Sequence, residues 1–229
     1  MTPSVIECSS YSELIKKINW GETKGVLIDI DDTLYSYKKV HKLAIKKCYQ
    51  VLPLEMKASH SQDQFINLYT SYRNKFTTKM NYSGTCRSRL FAFQKLFENE
   101  NFAYAYKYAL FFEDLYWQEL INSIKPFKNL DTFFKTCKKH KIKICAISDM
   151  QARFQIKKLE KLKLSKKIDF LVTSEEVGVE KPDLRIFSSA LAKLNIKKDQ
   201  VIMIGDNHEK DIMGARQYGI NAYLLKDIR

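Results

Sequence analysis

After Pro126 the chain alternates short apolar runs with amphipathic segments, and this alternation restricts its possible folds more than any other feature. The runs are IKICAIS, IDFLVTS, VIMIG and NAYLL. The segments LDTFFKTCKKH, FQIKKLEKL, LRIFSSALAKL and IMGARQYG carry apolar residues at helical spacing. Runs this short and apolar suit strands buried on both faces. Strands that alternate with helices form a parallel sheet with helices on either side. An earlier run, KGVLIDI, has the same character. It follows YSELIKKINW, where Leu14, Ile15 and Ile18 are spaced for a helix that Gly21 ends.

Between these parts the pattern changes. From Tyr37 to Lys125 no run reads as a strand. Segments near 38–52, 61–80, 85–98 and 102–124 repeat apolar residues at helical spacing, with breaks at Pro53, at residues 81–84 and at 98–101. The expected fold class is therefore α/β. A Rossmann-like parallel sheet with helices on both faces is built from residues 1–36 and 126–229, and an all-α subdomain is inserted at 37–125. With 229 residues, 45% of them apolar, the chain has material for both cores.

The run VLIDIDDTL ends in Asp29, Asp31 and Asp32, which is unusual in a lysine-rich chain. Open parallel sheets bind ligands at the carboxyl ends of their strands. On an extended segment, Asp29 and Asp31 project to the same side and face one pocket. Two such charges repel, and either a divalent cation or a role in proton transfer relieves the conflict. A second run, VIMIGDNHEKD, also ends in acids, Asp206 and Asp211. If the two strands are neighbours, Asp29 and Asp206 share one hard cation, and oxygen ligands suit Mg²⁺. AISDM ends a strand in Ser148, whose hydroxyl suits phosphate oxygens together with the amides that start the next helix. Lys181, in VEKPD, is placed to neutralise a phosphate and an attacking carboxylate together.

In order, these motifs read DxDxT, a strand-ending Ser, KP and GDxxxxD. The set resembles the haloacid dehalogenase-like superfamily, a group dominated by phosphatases. EKPDLRIF is similar to the third-motif region of members with a helical cap between the first and second motifs. The resemblance implies that Asp29 is the nucleophile, forming an aspartyl-phosphate, and that Asp31 is the general acid and base. It implies Mg²⁺ held by Asp29, the backbone carbonyl of Asp31, and Asp206, with Asp211 and Asn207 supporting the metal and Thr33 bracing the first loop. Ser148, Asp149 and Lys181 fall in the phosphate-binding positions, although Asn is common where Asp149 stands. An acid at Asp31 separates the chain from dehalogenases, which lack one there, and favours phosphate ester hydrolysis. A small anionic phosphorylated substrate is implied, such as a sugar phosphate, a nucleoside monophosphate or phosphoglycolate. A phosphomutase is the enzymatic alternative.

Several residues have plainer readings. Asp32 suits a turn. His208 invites a zinc reading, but no second His or Cys has ligand spacing, so it reads as a solvated loop residue. KKLEKLKLSKK, residues 157–167, reads as a solvated helix face and its end. In the insert, Phe91, Phe93, Phe97, Phe111 and Phe112 read as bundle core rather than a base-stacking platform. Tyr35, Tyr37, Lys38, Arg73 and Arg87 are candidates for substrate specificity, since residues 37–125 hold 14 basic and 7 acidic side chains.

The net charge of +13 attracts anions, but only 7 of the 39 basic residues are Arg, and no nucleic-acid motif accompanies them. A basic nucleic-acid-binding protein with an incidental site is thus the weaker alternative, and nucleic acid is not the expected partner. The five cysteines are odd in number and lack CxxC spacing, which favours reduced thiols. No apolar run reaches ~18 residues, so a membrane partner is not expected either and a cytoplasmic location is.

Overall fold

The computed structural model describes residues 4–80 and 84–226. The break expected at 81–84 lies outside the described residues except at Gly84. The chain divides into two compact units, one of Met1–Ser36 with Lys125–Arg229 and one of Tyr37–Ile124.

The first unit is built on a six-stranded sheet. Its strands are β1 (Val5–Cys8), β2 (Gly25–Ile28), β3 (Lys143–Ser148), β4 (Phe170–Thr173), β5 (Val201–Gly205) and β6 (Asn221–Leu225). They pair in parallel in the order β1-β6-β5-β2-β3-β4. In chain order the helices begin with α1 (Tyr11–Lys17) of this unit. The second unit has α2 (Tyr37–Gln50), α3 (Leu54–Ser59), α4 (Gln62–Lys79), α5 (Arg89–Asn99) and α6 (Ala105–Ser123). The first unit resumes with α7 (Leu130–Lys139), α8 (Ala152–Lys161), α9 (Ser174–Val177), α10 (Leu184–Leu194) and α11 (Gly214–Tyr218).

The central strands are apolar on both faces. Every residue of β2 and β5 is buried. Leu27, Cys145, Ile147, Val172 and Met203 pack with Ile186, Phe187 and Ala190 of α10. In this register Ile28 of β2 stands opposite Ala146 of β3 and Ile204 of β5. β3 runs two residues and β5 one residue past the level of Ile28, so the three strands end close together and the residues just beyond them gather at one edge.

Several elements differ from the sequence reading, among them the short helices α3 and α9, which it did not include. β1 was not anticipated, because VIEC is short, carries Glu7 and is only partly buried at the sheet edge. The helix expected over IMGARQYG is present as α11, but it is entered through a π-helical turn, His208–Met213, that the sequence reading did not include. Such wide turns are frequent at functional sites.

In the helical unit, Tyr69 of α4, Phe93 and Phe97 of α5, and Phe112 and Tyr116 of α6 are buried against one another, and Phe65 of α4 is buried against Tyr49 of α2. A capping box formed by Ser61 and Gln64 starts α4. Phe91 and Phe111, expected in this core, are 38% and 55% exposed. They share a helix with core residues but sit outside its buried stripe. All five cysteines are free and buried. Burial pushes the thiols of Cys48, Cys137 and Cys145 up to about 12, which leaves little reactive thiolate.

Candidate active site

The site begins where β2 ends. The Asp29 amide still extends the sheet, donating to the Ile204 carbonyl at 2.9 Å. The backbone then turns. Asp32 takes a left-handed conformation (φ 63°), which Asp tolerates better than most residues. The Leu34 amide closes the turn on the Ile30 carbonyl. Asp31 thus stands past the strand, in the turn, and not on a continuous extended segment with Asp29. The two carboxylates have different neighbours.

Asp29 is buried and accepts from Lys181 Nζ at 2.6 Å. The same ammonium lies 2.7 Å from Asp211 Oδ1 and 3.2 Å from the Ile147 carbonyl. Burial pushes the Asp29 pKa well above the carboxylate range. Lys181 works against the rise, while Asp211 and Asp206 add to it. On Lys181, burial favours the neutral amine, but Asp211, Asp29 and Asp149 outweigh it and hold the ammonium charged. Three carboxylates, Asp29, Asp211 and Asp149, surround the Lys181 ammonium, Asp206 makes a fourth, and Lys210 also pairs with Asp149.

Asp29, Asp206 and Asp211 each offer an oxygen within 4.8 Å of the others. Asp29 Oδ2 is buried and has no hydrogen-bond partner among the described residues. A buried carboxylate oxygen without a donor is costly. A hard cation among oxygen ligands supplies what that oxygen lacks, so these residues fit Mg²⁺. β2 and β5 are adjacent, as sharing a cation between Asp29 and Asp206 requires. Asp211 reaches the group because Gly205 has no side chain: a Cβ there would lie 2.3 Å from Asp211 Oδ2. The Asn207 amide donates to that oxygen at 3.0 Å, and the Asn207 side chain caps the π-helical turn by accepting from Glu209 and Lys210. Thr33, fully buried, reaches Asp206 Oδ1 at 3.4 Å, and its carbonyl accepts from Tyr11. His208 is exposed.

The phosphate-binding candidates follow β3. Ser148 is buried and bonded to Gln155 of α8. The Asp149 carboxylate is engaged twice, accepting from the Lys181 amide at 2.8 Å and from Lys210 Nζ at 2.8 Å. Lys210 also pairs with Glu180, so the loops after β3, α9 and β5 are tied together by one network. The first amide of α8, on Ala152, is already taken by Glu175.

Asp31 has a cradle that the sequence did not reveal. Lys158 Nζ donates to both carboxylate oxygens, at 2.8 and 2.9 Å. Gln155 Nε2 donates to Oδ2 at 3.1 Å, and the Tyr35 hydroxyl donates to Oδ1. Lys158 and Gln155 are both fully buried. Burial alone would raise the Asp31 pKa, but the Lys158 ammonium and these hydrogen bonds carry it below the usual range. The solvated reading of KKLEKLKLSKK is therefore corrected at Lys158. The available signal was spacing: Gln155, Lys158, Leu159 and Leu162 lie on one face, three and four residues apart, so Lys158 falls within the buried stripe.

Of the specificity candidates, Tyr35 belongs to this group around Asp31. The others lie in the helical unit. Tyr37 accepts from Arg89 at 2.8 Å, Lys38 is exposed on α2, Arg73 is half-buried on α4, and the Arg87 carbonyl accepts from Arg89.

The chain is similar to several known proteins. A curated ribulose-1,5-bisphosphate 5-phosphatase of Halopiger xanaduensis is 26% identical over 201 residues, covering 88% of this chain and 84% of that protein. A glyceraldehyde 3-phosphate phosphatase of Methanothermobacter thermautotrophicus is 29% identical over 213 residues, covering 88% and 85%. Among solved structures, a 2-haloacid dehalogenase of Pseudomonas syringae superposes with a TM-score of 0.69 at 18% identity, covering 88% of this chain and 86% of that one. The family model for haloacid dehalogenase-like hydrolases matches residues 23–219, and the chain belongs to that family.

Proposed function

We propose that the chain is a Mg²⁺-dependent phosphatase that hydrolyses a small sugar phosphate through an aspartyl-phosphate on Asp29. The buried Asp29 carboxylate carries this reading, with one oxygen on Lys181 and the other without a partner among the described residues. Relatives named as phosphatases of ribulose-1,5-bisphosphate and glyceraldehyde 3-phosphate support the substrate class. The acid at Asp31 supports an ester substrate over a halide.

In this reading Asp29, which Lys181 and a bound cation would favour in its ionised form, attacks phosphorus through one oxygen in line with the ester oxygen. As the new O–P bond forms and the ester bond breaks, the leaving oxygen takes a proton from Asp31 and departs as the alcohol. Water then attacks the phosphoryl group and gives a proton to Asp31, and Asp29 leaves as a carboxylate. Asp31 is ionised at rest, held so by Lys158. The arriving phosphate dianion disfavours that charge and draws a proton onto it. Lys181 neutralises Asp29 and the transferring phosphoryl group, and Ser148 donates to a phosphoryl oxygen. Asp29, Asp206 and the Asp31 carbonyl would hold Mg²⁺, with Asp211 and Asn207 in support. The cation would supply charge neutralisation at the transferring group.

The test is phosphate release from a panel of sugar phosphates, nucleoside monophosphates and phosphoglycolate, with Mg²⁺ and with EDTA. The expected result is release from sugar phosphates that EDTA abolishes. Isomerised sugar phosphate with little free phosphate would replace this reading with a mutase.

A further inference from the structure

We propose that Lys158 and Gln155 of α8 are positioning residues for the reaction. They hold the Asp31 carboxylate in the orientation that delivers its proton, and they set the direction of the Ser148 hydroxyl. This inference rests on the phosphatase reading above.

A carboxylate in a turn is free to rotate about its Cβ–Cγ bond unless both oxygens are held. Here Lys158 bridges the two oxygens, Gln155 adds a second donor to Oδ2, and the Tyr35 hydroxyl adds a second donor to Oδ1. Four donor contacts from three residues fix the plane of the group. Lys158 lies 6.0 Å from the centroid of the Tyr35 ring, so the aromatic face adds a further attraction to the cation.

Burying an ammonium in a helix face costs stability unless it is paired, and an apolar side chain would pack at least as well. Lys158 is 0% exposed, whereas Asp31 keeps 24% of its side chain open. The cation is wholly enclosed and its partner still reaches outward. That asymmetry suits a carboxylate that must meet a substrate while it is steered from behind.

Gln155 extends the device. Its Nε2 donates both to Asp31 at 3.1 Å and to Ser148 Oγ at 2.5 Å. Ser148 Oγ then acts as an acceptor toward Gln155, and its own hydrogen is left to point elsewhere. One amide therefore fixes both the carboxylate that transfers the proton and the hydroxyl that meets the phosphoryl group. A phosphate oxygen placed by Ser148 has its leaving group in register with Asp31.

The test compares two esters. An alkyl phosphate, namely the sugar phosphate that the wild type hydrolyses, has a poor leaving group and needs the proton from Asp31. p-Nitrophenyl phosphate has a good leaving group and needs it far less. Values of kcat/KM with Mg²⁺ report the first phosphoryl transfer. Misplacing a reacting group by about 1 Å costs about 10²-fold. We expect Lys158→Met to lower kcat/KM by about that factor on the alkyl ester and by less than about 10-fold on the aryl ester. Gln155→Leu, nearly isosteric and uncharged, should show the same selectivity to a smaller degree, and it carries the test if Lys158→Met does not fold. Equal losses on both esters in a folded variant, or no loss on either, would overturn the proposal. Absence of wild-type activity on both esters would instead overturn the phosphatase reading.

Discussion

Asp29 and His41 show how burial alone can move a proton equilibrium in opposite directions. At Asp29 burial raises the carboxyl pKa, Lys181 works against the rise, and Asp211 and Asp206 add to it. The excess of negative charge suits the group to a divalent cation. His41, on α2, is a base. Burial first, and then the cations Arg89 and Arg73, lower it from 6.5 to about 3. Its ring stacks on Tyr37 and bonds to Tyr116 at 2.7 Å, so it is neutral in the folded unit. Below pH 6.5 the unfolded chain binds a proton at this residue that the folded chain refuses. The His41 contribution is complete above pH 6.5 and is lost as the pH falls toward 3, with a slope of up to ~1.4 kcal/mol per pH unit. Thermal unfolding between pH 7 and pH 5 should therefore show a steeper acid loss for the wild type than for His41→Phe. Equal slopes would mean that the ring charges in the folded unit.

At the scale of elements, the π-helical turn after β5 decides whether Asp211 reaches the site. The turn brings the Asp211 carboxylate back onto the Gly205 backbone, onto the Asn207 amide and onto Lys181. A methyl group at position 205 would occupy the volume of that carboxylate. Gly205→Ala should cost about 1–3 kcal/mol of stability through overpacking and should weaken Mg²⁺ activation by displacing Asp211. Urea unfolding and a Mg²⁺ titration of phosphate release measure the two effects, and a variant with unchanged Mg²⁺ dependence would show that Asp211 is not needed for the metal. α8 carries the other burden of the site. Its sequence gives equal weight to Lys157, Lys158 and Lys161, and only the phase of the buried stripe separates the enclosed lysine from the solvated ones. Composition hides that distinction and periodicity contains it.

Across the whole molecule, the parallel sheet was legible because apolar runs buried on both faces repeat between amphipathic helices. The strand-end acids were legible because such charges have few reasons to follow a buried strand. β1 was not legible: an edge strand is buried on one side only, and VIEC carries neither a full apolar run nor an alternation long enough to read. The cradle of Asp31 was not legible either, since Gln155 and Lys158 lie more than a hundred residues from Asp31 and Tyr35 in sequence and meet them through the pairing of β2 with β3. The family match over residues 23–219 spans both compact units.

The central claim is covalent chemistry at Asp29, and trapping tests it most directly. Asp31→Asn removes the group that activates water, so the variant should accumulate phosphoryl-enzyme when mixed with Mg²⁺ and p-nitrophenyl phosphate, whose leaving group departs without the proton from Asp31. After acid quench, digestion and peptide mass mapping, the account predicts a phosphoryl group on Asp29, and none when Asp29→Asn is combined with Asp31→Asn. A phosphoryl group on another residue, or wild-type hydrolysis that persists in Asp29→Asn, would contradict it.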